Sequence, residues 1–128
     1  MKSIAFLILS LAIHANLAFG QSHNPFSYTS RDKPATPVAT AKGVTLTATP
    51  YNLSSGLNNL TVIKATNQSP MTVEVKVQYL TKTFGTPPVM HAWVRQIAPN
   101  SEIWIDNAVS SQLYPVRPDM LVRTLRDQ

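Results

Sequence analysis

No cysteine occurs anywhere in the 128-residue chain. That absence excludes disulfide frameworks, thiolate zinc sites, iron–sulfur clusters and cysteine nucleophiles by arithmetic alone. Glycine is scarce as well, with four residues against ten prolines, a balance that favours strands and loops over helices. Acids are few: six Asp and Glu residues, scattered singly along the chain. Histidine is confined to three positions, of which His23 and His91 lie beyond the first 20 residues. Past residue 20 there is no apolar run of the roughly 20 residues that span a bilayer, so no transmembrane segment is expected there.

The shortage of acids explains the basic balance. The formal charge is +5 and the sequence pI about 9.8. Nucleic-acid binding needs Lys and Arg gathered on one face or along one helix. Here they are spread evenly and interleaved with Asp and Glu, so nucleic acid is not expected as a partner.

The first 20 residues read as an export signal. Lys2 supplies the positive start, Ile4 to Leu17 the apolar stretch, and Ala18-Phe19-Gly20 the small-residue cleavage site before Gln21. The strongly apolar part, Ile4 to Ile13, is too short to span a bilayer. The exported chain is expected in the bacterial periplasm or outside the cell, since a small secreted eukaryotic domain usually leans on disulfides.

Residues 21–42 carry Pro25, Pro34 and Pro37 among Ser, Thr and Asn without apolar periodicity. Composition of that kind reads as a flexible leader. Phe26 and Tyr28 are its large apolar residues and its candidate docking peptide. From Gly43 the period becomes two, and the folded domain is expected to span residues 43–125. Val44, Leu46 and Ala48 alternate with threonines until Pro50 stops the run. Leu60–Ala65 reads as a second strand and Met71–Leu80 as a third, the polar cluster between them predicting an antiparallel hairpin. Val89–Ile97 and Glu102–Asp106 are further strands. Asn107–Pro118 reads as loop, and Met120–Arg126 as either a strand or a helical turn. The expectation is all-β: a small antiparallel immunoglobulin-like β-sandwich of five to seven strands.

Leu60-Thr-Val-Ile-Lys-Ala-Thr-Asn67 followed by Met71-Thr-Val-Glu-Val-Lys-Val77 resembles a hairpin of bacterial immunoglobulin-like envelope domains. Ile97-Ala-Pro-Asn-Ser-Glu-Ile-Trp104 is similar to the turn leading into one of their late strands. Pilus-type chaperones and extracellular adhesion modules share this pattern. The resemblance covers roughly residues 60–104 and implies architecture, with no catalytic signature.

Motifs for chemistry are few. There is no G-x-S-x-G elbow, no H-E-x-x-H pair and no P-loop. His91 is the one histidine on a predicted strand, without an acid on that strand to orient it. No enzyme and no cofactor are expected. If cleavage frees Gln21, the amine, two backbone amides and His23 in third position would suit Cu(II) or Ni(II); no other metal site is proposed. Met90 and His91 are adjacent on a strand and point to opposite faces.

Aromatic residues are the remaining candidates. Ile103 and Ile105 claim the inner face of their strand, which turns Trp104 outward. Trp93 shares a face with His91 and Arg95, and the period alone leaves open which face of that strand is buried. The expected function is a non-catalytic envelope module that binds another protein through its leader, an outward Trp104 and open strand edges. The alternative is a small-ligand or carbohydrate-binding module in which Trp104, Trp93 and Tyr79 form a stacking surface.

Overall fold

The computed structural model describes residues 33–53 and 56–125. The export signal, His23, Phe26 and Tyr28 lie outside the described residues.

Seven strands build the fold: β1 (Pro37–Ala41), β2 (Val44–Asn52), β3 (Asn58–Asn67), β4 (Val73–Thr81), β5 (Val89–Ile97), β6 (Ser101–Ser111) and β7 (Asp119–Thr124). They form two antiparallel sheets, ordered β1-β2-β3-β6 and β5-β4-β7. No described residue is helical, and none lies in a helix long and apolar enough to cross a membrane. The fold is a small all-β sandwich.

Period-two alternation places the core. On β4, Val73, Val75, Val77 and Tyr79 are buried while Glu74, Lys76 and Gln78 are partly open. From the facing sheet come Val44, Leu46, Ile63, Ala65 and Ile105, all nearly inaccessible. Val75 pairs with Arg95 and Val77 with Trp93. This settles β5: Trp93, Arg95 and Ile97 face inward, and Met90, Ala92 and Val94 lie on the other side.

Several strands depart from the sequence reading, each for a local reason. The predicted hairpin between Leu60–Ala65 and Met71–Leu80 does not form. Both strands exist, but β3 pairs with β2 and β6 while β4 pairs with β5 and β7. The connection crosses from one sheet to the other at a corner tied by Asn67. Its fully buried amide donates to the carbonyls of Met71 (2.7 Å), Ile97 (3.1 Å) and Ala98 (3.1 Å). Its oxygen accepts from the Ser69 N–H (2.9 Å) and hydroxyl (2.7 Å). One side chain thereby holds the corner against the β5–β6 turn.

The segment read as a leader to residue 42 contains β1, so the sandwich begins before Gly43. Its residues Pro37-Val-Ala-Thr-Ala are too small to give a readable apolar period, and a proline with a bulge beside it suits an edge strand. Lys42 and Gly43 both have positive φ, 49° and 82°, forming the two-residue turn that joins β1 to β2. Pro50 does not end β2, which continues to Asn52. The Ala48 N–H points at Thr36 O across the β1 side (2.9 Å). Two residues on, Pro50 faces the same side, where β1 has already ended, so its missing donor costs nothing. β6 runs to Ser111 instead of stopping at Asp106. A bulge opposite Ile63 shifts its register there, which turns Asp106 as well as Ile105 toward the interior.

Because the strands alternate in direction, the β2–β3, β4–β5 and β6–β7 connections share one end of the sandwich. The β1–β2, β3–β4 and β5–β6 turns share the other. These are called the Lys82 end and the Asn67 end below.

Candidate functional site

A concavity lies at the Lys82 end of the three-stranded sheet. Pairing of β4 with β7 stops at Gln78 opposite Asp119, while β4 continues to Thr81. Between Tyr79 and Thr81, therefore, one edge of β4 has no strand beside it among the described residues. The β6–β7 connection passes there, and a groove of about 620 Å3 opens between them. Leu80, Met90, Leu113 and Tyr114 supply its apolar lining, with Lys82, Arg117 and Asp119 at its margins.

Leu80 and Met90 reach the groove by alternation. They are cross-strand partners on the outer face of the sheet, 52% and 59% exposed. The remainder of that face of β4 is Glu74, Lys76 and Gln78, with Ala92 and Val94 of β5 and the exposed Leu121 of β7 beside them. Tyr114 forms the opposite wall, with the Lys82 ammonium 5.2 Å from its ring centre. Such a contact fixes the lysine stem over the ring and keeps the charge at the rim.

Behind the groove, between the sheets, lies a buried polar network. The Tyr79 hydroxyl donates to the Asp106 carboxylate, and Trp93 Nε1 donates to the Tyr79 oxygen at 2.8 Å. The His91 ring stacks on Tyr79 with centroids 5.0 Å apart, and its Nε2 lies 2.7 Å from Thr81 Oγ1. Arg95, 4% exposed, sets its guanidinium 4.9 Å from the Trp93 ring centre. Burial pushes the Tyr79 hydroxyl well above the ordinary tyrosine range, and its bond to Asp106 adds to the shift. Burial pushes Arg95 down, and the charge of Asp106 opposes that shift. Both effects follow from low local polarity disfavouring a new charge on tyrosine and an existing one on arginine.

This arrangement ties the sheets together and offers little to a reaction. A tyrosine pushed upward is harder to ionise and so a poorer nucleophile. Thr81 beside His91 is the hydroxyl–imidazole contact of the network. However, Thr81 is buried, and the bond of Asp106 goes to Tyr79 rather than to the imidazole. Among the described residues no group of three or more His, Cys, Asp or Glu side chains could hold a metal ion.

The three aromatic residues chosen from the sequence do not form one surface. Tyr79 is 2% exposed and Trp93 is partly buried, packed against the core. Both sit between the sheets, bonded to each other, so neither serves in an open stacking platform. Trp104 does face outward, opposite Lys64 on the four-stranded sheet. There it is half-buried and donates to Asn107 Oδ1 at 3.0 Å. Met90 and His91 take opposite faces, as alternation requires. The sequence reading missed Leu80, Met90 and Tyr114. The readable signal was Leu80, an apolar residue in the polar phase of an otherwise regular strand.

No protein-family model matches the chain, and no curated protein and no solved structure matches it.

Proposed function

We propose that the protein is a non-catalytic, exported module of the bacterial envelope that binds another protein, and that it takes an extended segment of that partner in the groove beside β4. The observation that carries this proposal is the coincidence of two features. Leu80 and Met90 lie open on a strand face, and among the described residues the backbone edge of β4 at Tyr79–Thr81 has no neighbouring strand. An extended peptide can pair with such an edge and place alternate side chains on the apolar floor.

The resemblance to immunoglobulin-like envelope domains supports the same reading. Here β3 pairs with β6 and β4 with β7, the two pairs lying in opposite sheets. The same crossed pairing, second strand with fifth and third with sixth, occurs in immunoglobulin sheets ABED and CFG. Architecture alone does not carry function across; the groove is the feature that supports this reading.

The test places a photo-crosslinking residue at Leu80 or Met90, with Val38 and Val109, exposed on the other sheet, as comparison positions. Irradiation of intact cells should give one dominant protein adduct from the groove positions and none of it from the comparison positions. Equal adducts from all four, or none at the groove, would refute the assignment.

A further inference from the structure

The two ends of the sandwich differ in a way that the protein-binding reading does not use. Three loop tips at the Lys82 end carry large apolar side chains held out from the fold: Leu57, Phe84 and Leu113, exposed by 65%, 86% and 83%. The three loops are joined to one another. Gln112 donates through its N–H to Leu57 O (3.1 Å) and through Nε2 to Gly56 O (2.6 Å), and the Ser111 N–H reaches Lys82 O (2.7 Å).

Two of the tips are also braced internally. Phe84 lies in a turn closed by Thr86 N–H on Thr83 O (3.1 Å) and by the two threonine hydroxyls (2.8 Å). Leu113 follows Ser111, whose hydroxyl and carbonyl accept the N–H groups of Leu113 (3.1 Å) and Tyr114 (2.9 Å). Braced turns usually present polar residues to water; these present Phe and Leu. At the Asn67 end the turns are Lys42-Gly43, Gln68-Ser69-Pro70 and Pro99-Asn100, and no exposed large apolar side chain lies in them.

Cations stand near the tips, Lys33, Lys82 and Arg117 against Asp119, and the other half carries Lys42, Lys64, Lys76 and Arg123 against Glu74 and Glu102, so it is the apolar tips that distinguish the two ends. Lys33 belongs to this end because its ammonium bonds Pro50 O at 2.6 Å, near the close of β2. Convex apolar tips backed by cations match a surface with acyl chains beneath a layer of phosphates. An extended protein segment would instead be matched by the concave groove, which shares Leu113, Lys82 and Arg117 with this end.

We propose that the Lys82 end docks on an anionic phospholipid bilayer, with Phe84, Leu57 and Leu113 entering the headgroup–acyl boundary and Lys33, Lys82 and Arg117 on lipid phosphates. Phe84, Leu57 and Lys33 lie outside the groove lining while Leu113, Lys82 and Arg117 belong to it, so bilayer docking and groove occupancy draw on three side chains in common.

The absence of cysteine makes a site-specific test direct. An environment-sensitive thiol dye is attached to the full chain carrying Phe84→Cys, and separately to the chain carrying Gln68→Cys at the opposite end. Vesicles of phosphatidylglycerol and phosphatidylcholine should blue-shift the dye at position 84 and shield it from an aqueous quencher, leaving position 68 wet. Pure phosphatidylcholine, or raised salt, should remove most of the effect. Leu57→Ser with Leu113→Ser should weaken the response at least about tenfold, with the intrinsic tryptophan emission unchanged. Leu80→Ser with Met90→Ser should leave it intact. A dye at position 84 as wet as one at position 68 would overturn the proposal, because attachment by the N-terminal apolar segment alone gives that outcome. So would equal responses to anionic and neutral vesicles, or shielding of position 84 only by a protein partner.

Discussion

Asn67 is the residue whose replacement tests the architecture most sharply. Its amide serves three carbonyls on two different turns, and its oxygen accepts two bonds from Ser69. Asn67→Ala leaves the Ile97 carbonyl, which is buried, without that donor. The Met71 and Ala98 carbonyls and the Ser69 N–H lie at part-buried contacts and regain some solvation. One fully unmade buried group costs about 1–3 kcal/mol, and partly solvated ones less. Together they give an expected loss of about 2–4 kcal/mol, a large share of the ~5–15 kcal/mol that holds a domain of this size.

Urea unfolding followed by tryptophan emission measures that loss, with the slope of the transition unchanged. Ser69→Ala keeps the amide and its three carbonyl contacts, so it should cost about 1 kcal/mol. Asn67→Asp adds a sign test. The isosteric carboxylate points an oxygen at three carbonyls, so its charged form is disfavoured in the folded state and its folded pKa lies above the unfolded one. Destabilisation should be fully present at neutral pH and should ease as acid protonates the group. An Asn67→Ala loss under about 1 kcal/mol, or one equal to that of Ser69→Ala, would refute the idea that this side chain holds the corner.

Four further outcomes follow from three other contacts. Gly43→Ala should lower stability by about 1–2 kcal/mol in a thermal melt, because φ is +82° and an added Cβ would sit 3.1 Å from Ser69 Cβ. Tyr79→Phe removes the hydroxyl shared by Asp106 and Trp93 and should cost about 1–3 kcal/mol in urea. The same residue governs alkaline behaviour. Its folded pKa is raised, so its contribution is intact below the ordinary tyrosine value of about 10 and is lost as pH climbs above it. Wild type should therefore lose stability more steeply than Tyr79→Phe in that range, and parallel curves would exclude the mechanism. Arg123→Ala should change the unfolding midpoint little, since its 2.8 Å ion pair with Glu74 is solvent-exposed and such pairs are worth roughly 0–1 kcal/mol.

What could be read in the sequence was whatever depends on period two with large side chains. The run from Met71 to Leu80 announced β4, and Val89–Ile97 gave β5 with its observed bounds. Strands built from small or polar residues were silent. Pro37–Ala41 has no side chain larger than valine, and Asn107–Ser111 reads as loop until β3 is seen to continue beside it. Pairing was less legible still. A five-residue polar connection between two strands fits a hairpin as well as a crossing between sheets. Asn67, placed to reach Ile97 some thirty residues away, ties the crossing in place. Nothing in a one-dimensional pattern carries that bond.

The site was illegible for a related reason: its members are chosen by a mismatch between strands. Leu80 belongs to a groove because β7 begins at Asp119, opposite Gln78, and leaves the last residues of β4 uncovered. Had β7 started three residues earlier, the free edge would be paired and Leu80 an ordinary surface residue. The aromatic side chains stand in the opposite case. Tyr79 and Trp93 looked available because large rings on strands often are. Yet β5 turns its Trp93–Arg95 face inward, and the bulge at Ile105 swings Asp106 under the Tyr79 hydroxyl. The rings are then engaged between β5 and β6, Trp93 donating to the Tyr79 oxygen, Tyr79 to Asp106, and the Arg95 guanidinium lying against Trp93. With those rings committed to the interior, the uncovered end of β4 is left as one place, among the described residues, where a backbone edge without a neighbouring strand meets exposed apolar side chains.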